Sequence, residues 1–146
     1  MKTVTRKELK KTIRQQLHST LLTRSFDVLL FKAGISGIYI GDEEYACPSL
    51  DEVKKILEDS QVDQRRYWSN GSDCEDFGFR LKADFVRKYL TEESRLAYAF
   101  GMVWGNKPAH AMNFVLCNDS KIYLIEPQDD KIHELDYLKQ IYLAVV

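Results

Sequence analysis

An α+β fold is what this chain of 146 residues predicts, with helices first and strands afterward. Three observations carry that reading. Leu9, Ile13, Leu17 and Leu21 recur every four residues between charged positions, the stripe of an amphipathic helix over about 4–22. Ser-x-x-Glu patterns at Ser49–Glu52 and Ser72–Glu75 mark two further helix starts, because serine and glutamate at that spacing satisfy each other's free backbone N–H groups. From Leu96 onward, short apolar runs alternate with turn residues and predict strands at about 97–104, 109–117, 121–126 and 136–145.

The elements between follow in order. The apolar stretch from Phe26 to Ile40, broken by Gly34, Ser36 and Gly37, predicts a strand or two with a turn. Ser49 to Asp59 is the second helix. A polar link, Gln61 to Gly71, leads into a third that runs from Asp73 to about Leu90, with Phe77, Gly78, Leu81, Phe85 and Tyr89 on the same face as Cys74. No repeat or linker divides the chain, so residues 1–146 read as one domain.

Composition excludes several classes. No apolar run is long enough to span a membrane, and the basic N-terminus lacks the apolar core of a secretory signal, so a cytoplasmic setting is expected. Cys47, Cys74 and Cys117 fit neither a disulfide framework nor a zinc site. The net charge of −1 conceals an asymmetry: residues 1–14 hold six basic side chains against Glu8, a local +5, which leaves −6 for the remainder. Without interleaved aromatics, that basic helix is not expected to be a nucleic-acid surface; it reads first as a solvated face.

The chemistry-bearing residues are Cys74, His110 and Glu126. Cys74 opens a predicted helix, where the partial positive charge of the N-terminus favours a thiolate, although Asp73, Glu75 and Asp76 oppose it. His110 begins an apolar run after Gly105-Asn106-Lys107-Pro108, and Glu126 ends the run Ile122-Tyr123-Leu124-Ile125. Cysteine, histidine and carboxylate in this order suit a nucleophile, a general base and the group that orients the base. His18, on the basic helix, and His133, in a charged turn, are weaker candidates. The competing reading of each residue is structural: a core cysteine, a satisfied histidine, a carboxylate paired with lysine.

The segments Ser72-Asp73-Cys74-Glu75-Asp76-Phe77, His110-Ala111-Met112-Asn113 and Ile125-Glu126-Pro127-Gln128 together resemble the papain-like C-terminal domain of the Marasmius oreades agglutinin family and its bacterial and phage relatives, over about residues 65–130. The resemblance implies a papain-like fold in which a nucleophile helix packs on a small antiparallel sheet. It implies a cysteine hydrolase acting on a peptide or isopeptide bond, with a Cys74–His110–Glu126 triad, site-shaping residues Trp68 and Gln128, and calcium activation. The position six residues before Cys74 is Trp68, where such enzymes place an oxyanion-hole glutamine, so Gln128 or Asn70 would have to supply that donor. Asp73, Glu75, Asp76, Asp129 and Asp130 are the oxygen-rich candidates for calcium. The alternatives are a non-catalytic interaction module on the same fold and a transglutaminase-like acyl transferase. No β-trefoil sugar-binding domain is read here, so agglutinin activity is not expected to carry over.

Strand geometry sharpens one expectation. A hairpin turning at Asn118-Asp119-Ser120 pairs positions that sum to 238, which puts His110, Met112, Glu126 and Gln128 on one face. His110 and Glu126 then become diagonal neighbours, about 7–8 Å apart between backbones.

Overall fold

The computed structural model describes residues 1–17, 26–33, 37–89 and 95–146. In chain order these form β1 (Lys2–Thr5), α1 (Arg6–Gln16), α2 (Phe26–Ala33), β2 (Ile38–Tyr39), β3 (Glu44–Cys47), α3 (Leu50–Asp59), α4 (Cys74–Tyr89), β4 (Phe100–Lys107), β5 (Ala109–Leu116), β6 (Ile122–Glu126), β7 (Lys131–His133) and β8 (Lys139–Val145). A six-stranded sheet runs β2-β8-β4-β5-β6-β7, and a separate ribbon pairs β1 with β3. All neighbours are antiparallel except β2 and β8, which are parallel.

The sheet is the wall between two apolar clusters. On one side Leu9 and Ile13 of α1, Phe31 of α2 and Tyr45 of β3 pack against Val103, Met112, Phe114 and Leu124. On the other, Val53 and Leu57 of α3 with Phe77, Leu81 and Phe85 of α4 cover Phe100, Val115 and Ile125. Each strand serves both because its side chains alternate. The Phe85 and Phe100 rings stack at 3.7 Å between centroids and tie α4 to the sheet.

Helix starts follow local chemistry. Thr5 and Glu8 form a complete capping box on α1, and Ser49 and Glu52 form the expected one on α3. At α4 the expected Ser72–Glu75 box does not form. The Ser72 hydroxyl is buried and accepts from Arg80, so the cap moves one residue on and the Asp73 backbone N–H bonds the Asp76 carboxylate at 3.3 Å.

Two fold expectations are corrected. A papain-like arrangement on a small antiparallel sheet gives way to a mixed helix-and-sheet architecture with six strands, a parallel edge pair and helices on both faces. The first strands were invisible to local reading, because β1 finds its partner β3 about forty residues away. Phe26–Ala33 is helical where strand was expected: Val28 and Phe31 are buried three residues apart, and apolar residues on the remaining sides masked that period. The expected continuation of α1 to residue 22, His18, the turn around Gly34 and Ser36, and the end of α4 at Leu90 lie outside the described residues.

The β5–β6 hairpin has the anticipated register, with Asn113 opposite Ile125 and Leu116 opposite Ile122 across a turn at 118–120. Crowding on β4 is severe at Gly101. A Cβ there would lie 2.3 Å from the Val145 carbonyl oxygen and 2.7 Å from the Phe114 ring. Gly101→Ala is therefore expected to destabilise the domain by about 1–3 kcal/mol, the usual penalty of overpacking. Urea unfolding checks this, and a change within about 0.5 kcal/mol would show that the strands yield freely.

Candidate functional site

His110 and Glu126 meet. Nε2 of the imidazole lies 2.6 Å from Glu126 Oε2, and both side chains are largely enclosed. The hairpin register produces this pairing: counting on from Asn113–Ile125 puts Met112 opposite Glu126 and sends His110 to the same face, one position along. Glu126 is 8% exposed, and its other oxygen accepts from the Gln128 backbone N–H at 3.3 Å. A carboxylate at Nε2 accepts the proton carried on that nitrogen and so fixes the orientation of the ring.

An open groove of about 390 Å³ exposes the pair, lined by Pro108, Ala109, His110, Glu126, Gln128, Asp129 and Tyr137. Tyr137 stacks on His133 at 3.9 Å between ring centroids. No period or motif distinguishes Tyr137 in the sequence; it reaches the groove only because β7 and the turn after it fold back beside β6.

Cys74 opens α4, the helix that covers the other face of the sheet. Helix α4 packs on the face carrying Asn113, Val115 and Ile125, opposite the face that carries His110 and Met112. The thiol is half-buried at the helix N-terminus and reaches the strand at the Ala111 backbone N–H, one residue beyond His110. Its side-chain partner is Glu75, with Sγ 3.5 Å from Oε2. Among the described residues no hydrogen bond joins Cys74 to the imidazole. Burial pushes the Cys74 thiol up from its ordinary value; the Ala111 N–H opposes this, while Glu75 and Asp73 add to it. At neutral pH the group is a thiol.

The other expected residues flank these. Trp68 closes a tight turn through two backbone hydrogen bonds with Ser72, is 55% exposed, and carries the Arg66 guanidinium 4.3 Å above its ring. Asn70 sits within that turn at φ 65°, a left-handed conformation that asparagine tolerates. One aromatic contact was missed by sequence reasoning: Phe79 packs on Trp104, the cross-strand neighbour of Ala111.

Among the described residues no group of three or more His, Cys, Asp or Glu side chains could hold a metal ion. One carboxyl is nevertheless unusual. Asp130, at φ 57° beyond Gln128, is pushed up to about 6 by burial first and then by the charges of Asp63 and Asp129. Its Oδ1 and that of Asp63 are enclosed without partners among the described residues.

The profile of the Agglutinin C-terminal family matches residues 45–132. A solved structure described as a PSL1a-E64 complex superposes with a TM-score of 0.75 at 20% identity, over 99% of this chain and 50% of that one. A Polyporus squamosus lectin, bound to the human-type influenza-binding epitope Neu5Aca2-6Galb1-4GlcNAc, superposes with a TM-score of 0.64 at 22% identity, over 75% of this chain and 41% of that one. The chain thus spans half or less of the length of the structures it matches. No curated protein matches. These findings complete the correction of the papain-like expectation: the fold is the one seen in these structures, and the family match points to an agglutinin-type domain in place of a hydrolase or cysteine protease.

An acid whose folded pKa lies above its unfolded value of about 3.9 costs stability as pH rises through that interval. For Asp130 the cost grows from about pH 4 and is complete above about pH 6. Asp130→Asn keeps the left-handed backbone and removes the charge. It should raise the urea midpoint at pH 7.5, by an amount worth on the order of 1 kcal/mol or less for a half-exposed group, with a smaller gain at pH 5. A variant less stable than the parent at pH 7.5 would show that the charge is stabilising.

Proposed function

This chain belongs to the Agglutinin C-terminal family, and we propose that it acts as an interaction module whose contact surface is the groove around His110, Glu126 and Gln128. The observation that carries this reading is the His110–Glu126 pair set in that open groove. Cys74, whose Sγ lies against the Glu75 carboxylate, is pushed up by burial first and then by its acidic neighbours.

The partner we infer is an extended polypeptide. Strand β7 is one edge of the six-stranded sheet and borders the groove, since Lys131 pairs with Glu126. An edge strand leaves a row of backbone donors and acceptors for an added strand. His110, Gln128 and Tyr137 would then read its side chains. The sialylated epitope of the Polyporus lectin is not assigned to this chain, because more than half of that lectin lies outside the match.

A second reading, acyl transfer from the Cys74 thiol to an amine, is favoured by two observations. The thiol meets the strand one residue from the oriented His110 ring, and the Ala111 N–H favours a thiolate at Cys74. Alkylation kinetics separate the two. A small thiol electrophile should modify Cys74 before Cys47 and Cys117, which are buried at 2% and 0% exposure, the latter thiol being pushed up to about 12. For the module, the Cys74 rate keeps climbing through pH 9 and beyond. A plateau reached below neutrality would reject the module and favour acyl transfer.

Partner selection tests the groove directly. Peptides selected on the intact domain should lose about tenfold or more in affinity on His110→Ala, while Cys74→Ala leaves both fold and affinity unchanged. Selected peptides indifferent to His110→Ala would place the contact surface elsewhere.

A further inference from the structure

We propose that the outer faces of α1 and α2 form one docking surface for an anionic phospholipid membrane. Two stripes of different chemistry lie side by side there, and nothing else in the described structure uses either.

The first stripe is cationic. Lys7, Lys10, Lys11 and Arg14 stand at i, i+3, i+4 and i+7 on α1, all exposed, within about 10 Å along the axis. Among the described residues none of the four has a charged or hydrogen-bonding partner. The other cations of this segment are committed: Lys2 to the Asn118 carbonyl, Arg6 to Glu43 and to the Gly41 and Asp42 carbonyls. Glu8, the one acid on α1, is bound by the Thr5 cap. Like charges at these spacings weaken a helix, so the stripe costs the fold something and returns nothing to it.

The second stripe is apolar. Helix α2 buries Val28 and Phe31, half-buries Leu30 and turns Phe26, Leu29 and Ala33 outward. Phe26 is 68% exposed and Leu29 56%. Leu9, Ile13 and Phe31 belong to one core cluster, so α1 and α2 cover the same face of the sheet and their outer faces look away from it together.

Cations beside a shallow apolar stripe are what an anionic lipid surface accommodates: phosphate and carboxylate headgroups meet the ammonium and guanidinium groups while Phe26 and Leu29 enter the acyl boundary. A duplex or an acidic protein would satisfy the cations and leave the aliphatic side chains in water. Among the described residues no helix is long and apolar enough to cross a membrane, so the attachment is peripheral.

Co-sedimentation of the intact chain with vesicles tests this. The chain should pellet with mixed phosphatidylserine–phosphatidylcholine vesicles and stay in solution with pure phosphatidylcholine. Lys10→Ala with Lys11→Ala should weaken binding about thirtyfold, and Lys7→Ala with Arg14→Ala should do the same. Phe26→Ser with Leu29→Ser should remove the binding that survives added salt. All six side chains are exposed, and circular dichroism confirms that each variant is folded. Failure to pellet with the anionic vesicles, equal pelleting with neutral ones, or insensitivity to both basic pairs would overturn the proposal. So would light scattering that shows the two stripes holding copies of the chain together.

Discussion

One buried amide holds the working parts of this domain in place. Asn113, fully enclosed in β5, donates through Nδ2 to the carbonyls of Gly78 in α4 and Gly101 in β4, at 3.0 and 3.1 Å. Its own oxygen has no partner among the described residues, so its donors are what the position uses. The clamp works because Gly78 has no side chain: a Cβ there would stand 2.6 Å from the Met102 methyl group. The bare Gly78 backbone therefore sits directly against the Met102 and Asn113 side chains, which fixes how far α4 reaches and where its first residue, Cys74, arrives. A buried donor pair of this kind is strongly directional, because leaving either carbonyl unmatched in that interior costs about 1–3 kcal/mol.

With α4 fixed on one face, the alternation of β5 separates the chemistry. His110 belongs to the face of Met112 and Phe114, whereas α4 covers the face of Asn113 and Val115 and brings its first thiol to the Ala111 N–H. The imidazole and the thiol thus have different electrostatic surroundings. The first is held by an enclosed carboxylate at 2.6 Å, and the second lies among Asp73 and Glu75. Negative charge beside a thiol opposes what the helix N-terminus would otherwise favour, and here it prevails along with burial.

What the sequence disclosed was local or periodic. The α3 capping box, the hairpin turn and the face shared by His110 and Glu126 all depend on spacings within a few residues or on the period of two, and these can be read directly. The architecture as a whole could not be, because β1 and β3, or β2 and β8, carry no mark of their distant partners. The start of α4 was displaced by one residue for a similar reason. Arg80, eight positions on, claims the Ser72 hydroxyl that would have capped the helix. The relation between Cys74 and His110 was the least legible part of the site, since chain order says nothing about which side of a sheet a helix covers. Residue types in the order of a nucleophile, a base and an orienting carboxylate suggested a hydrolase; the family match points instead to an agglutinin-type domain.

The three-residue turn at Asn118, Asp119 and Ser120 has a consequence for how this chain can vary among descendants. Ser120 takes the left-handed conformation at φ 69°, Lys2 and Gln16 bind the turn from outside, and the Asp119 carboxylate accepts from the Lys121 N–H and the Tyr123 hydroxyl, so its letters are held by backbone geometry and hydrogen bonds. Its count is another matter. A register slipped by one residue to absorb a change of length would turn Glu126 to the opposite side of the sheet from His110, while a slip of two would restore the parity. Length changes that the loop does not absorb by itself should therefore survive in even numbers, a signature that can be sought in genomes without purifying any protein.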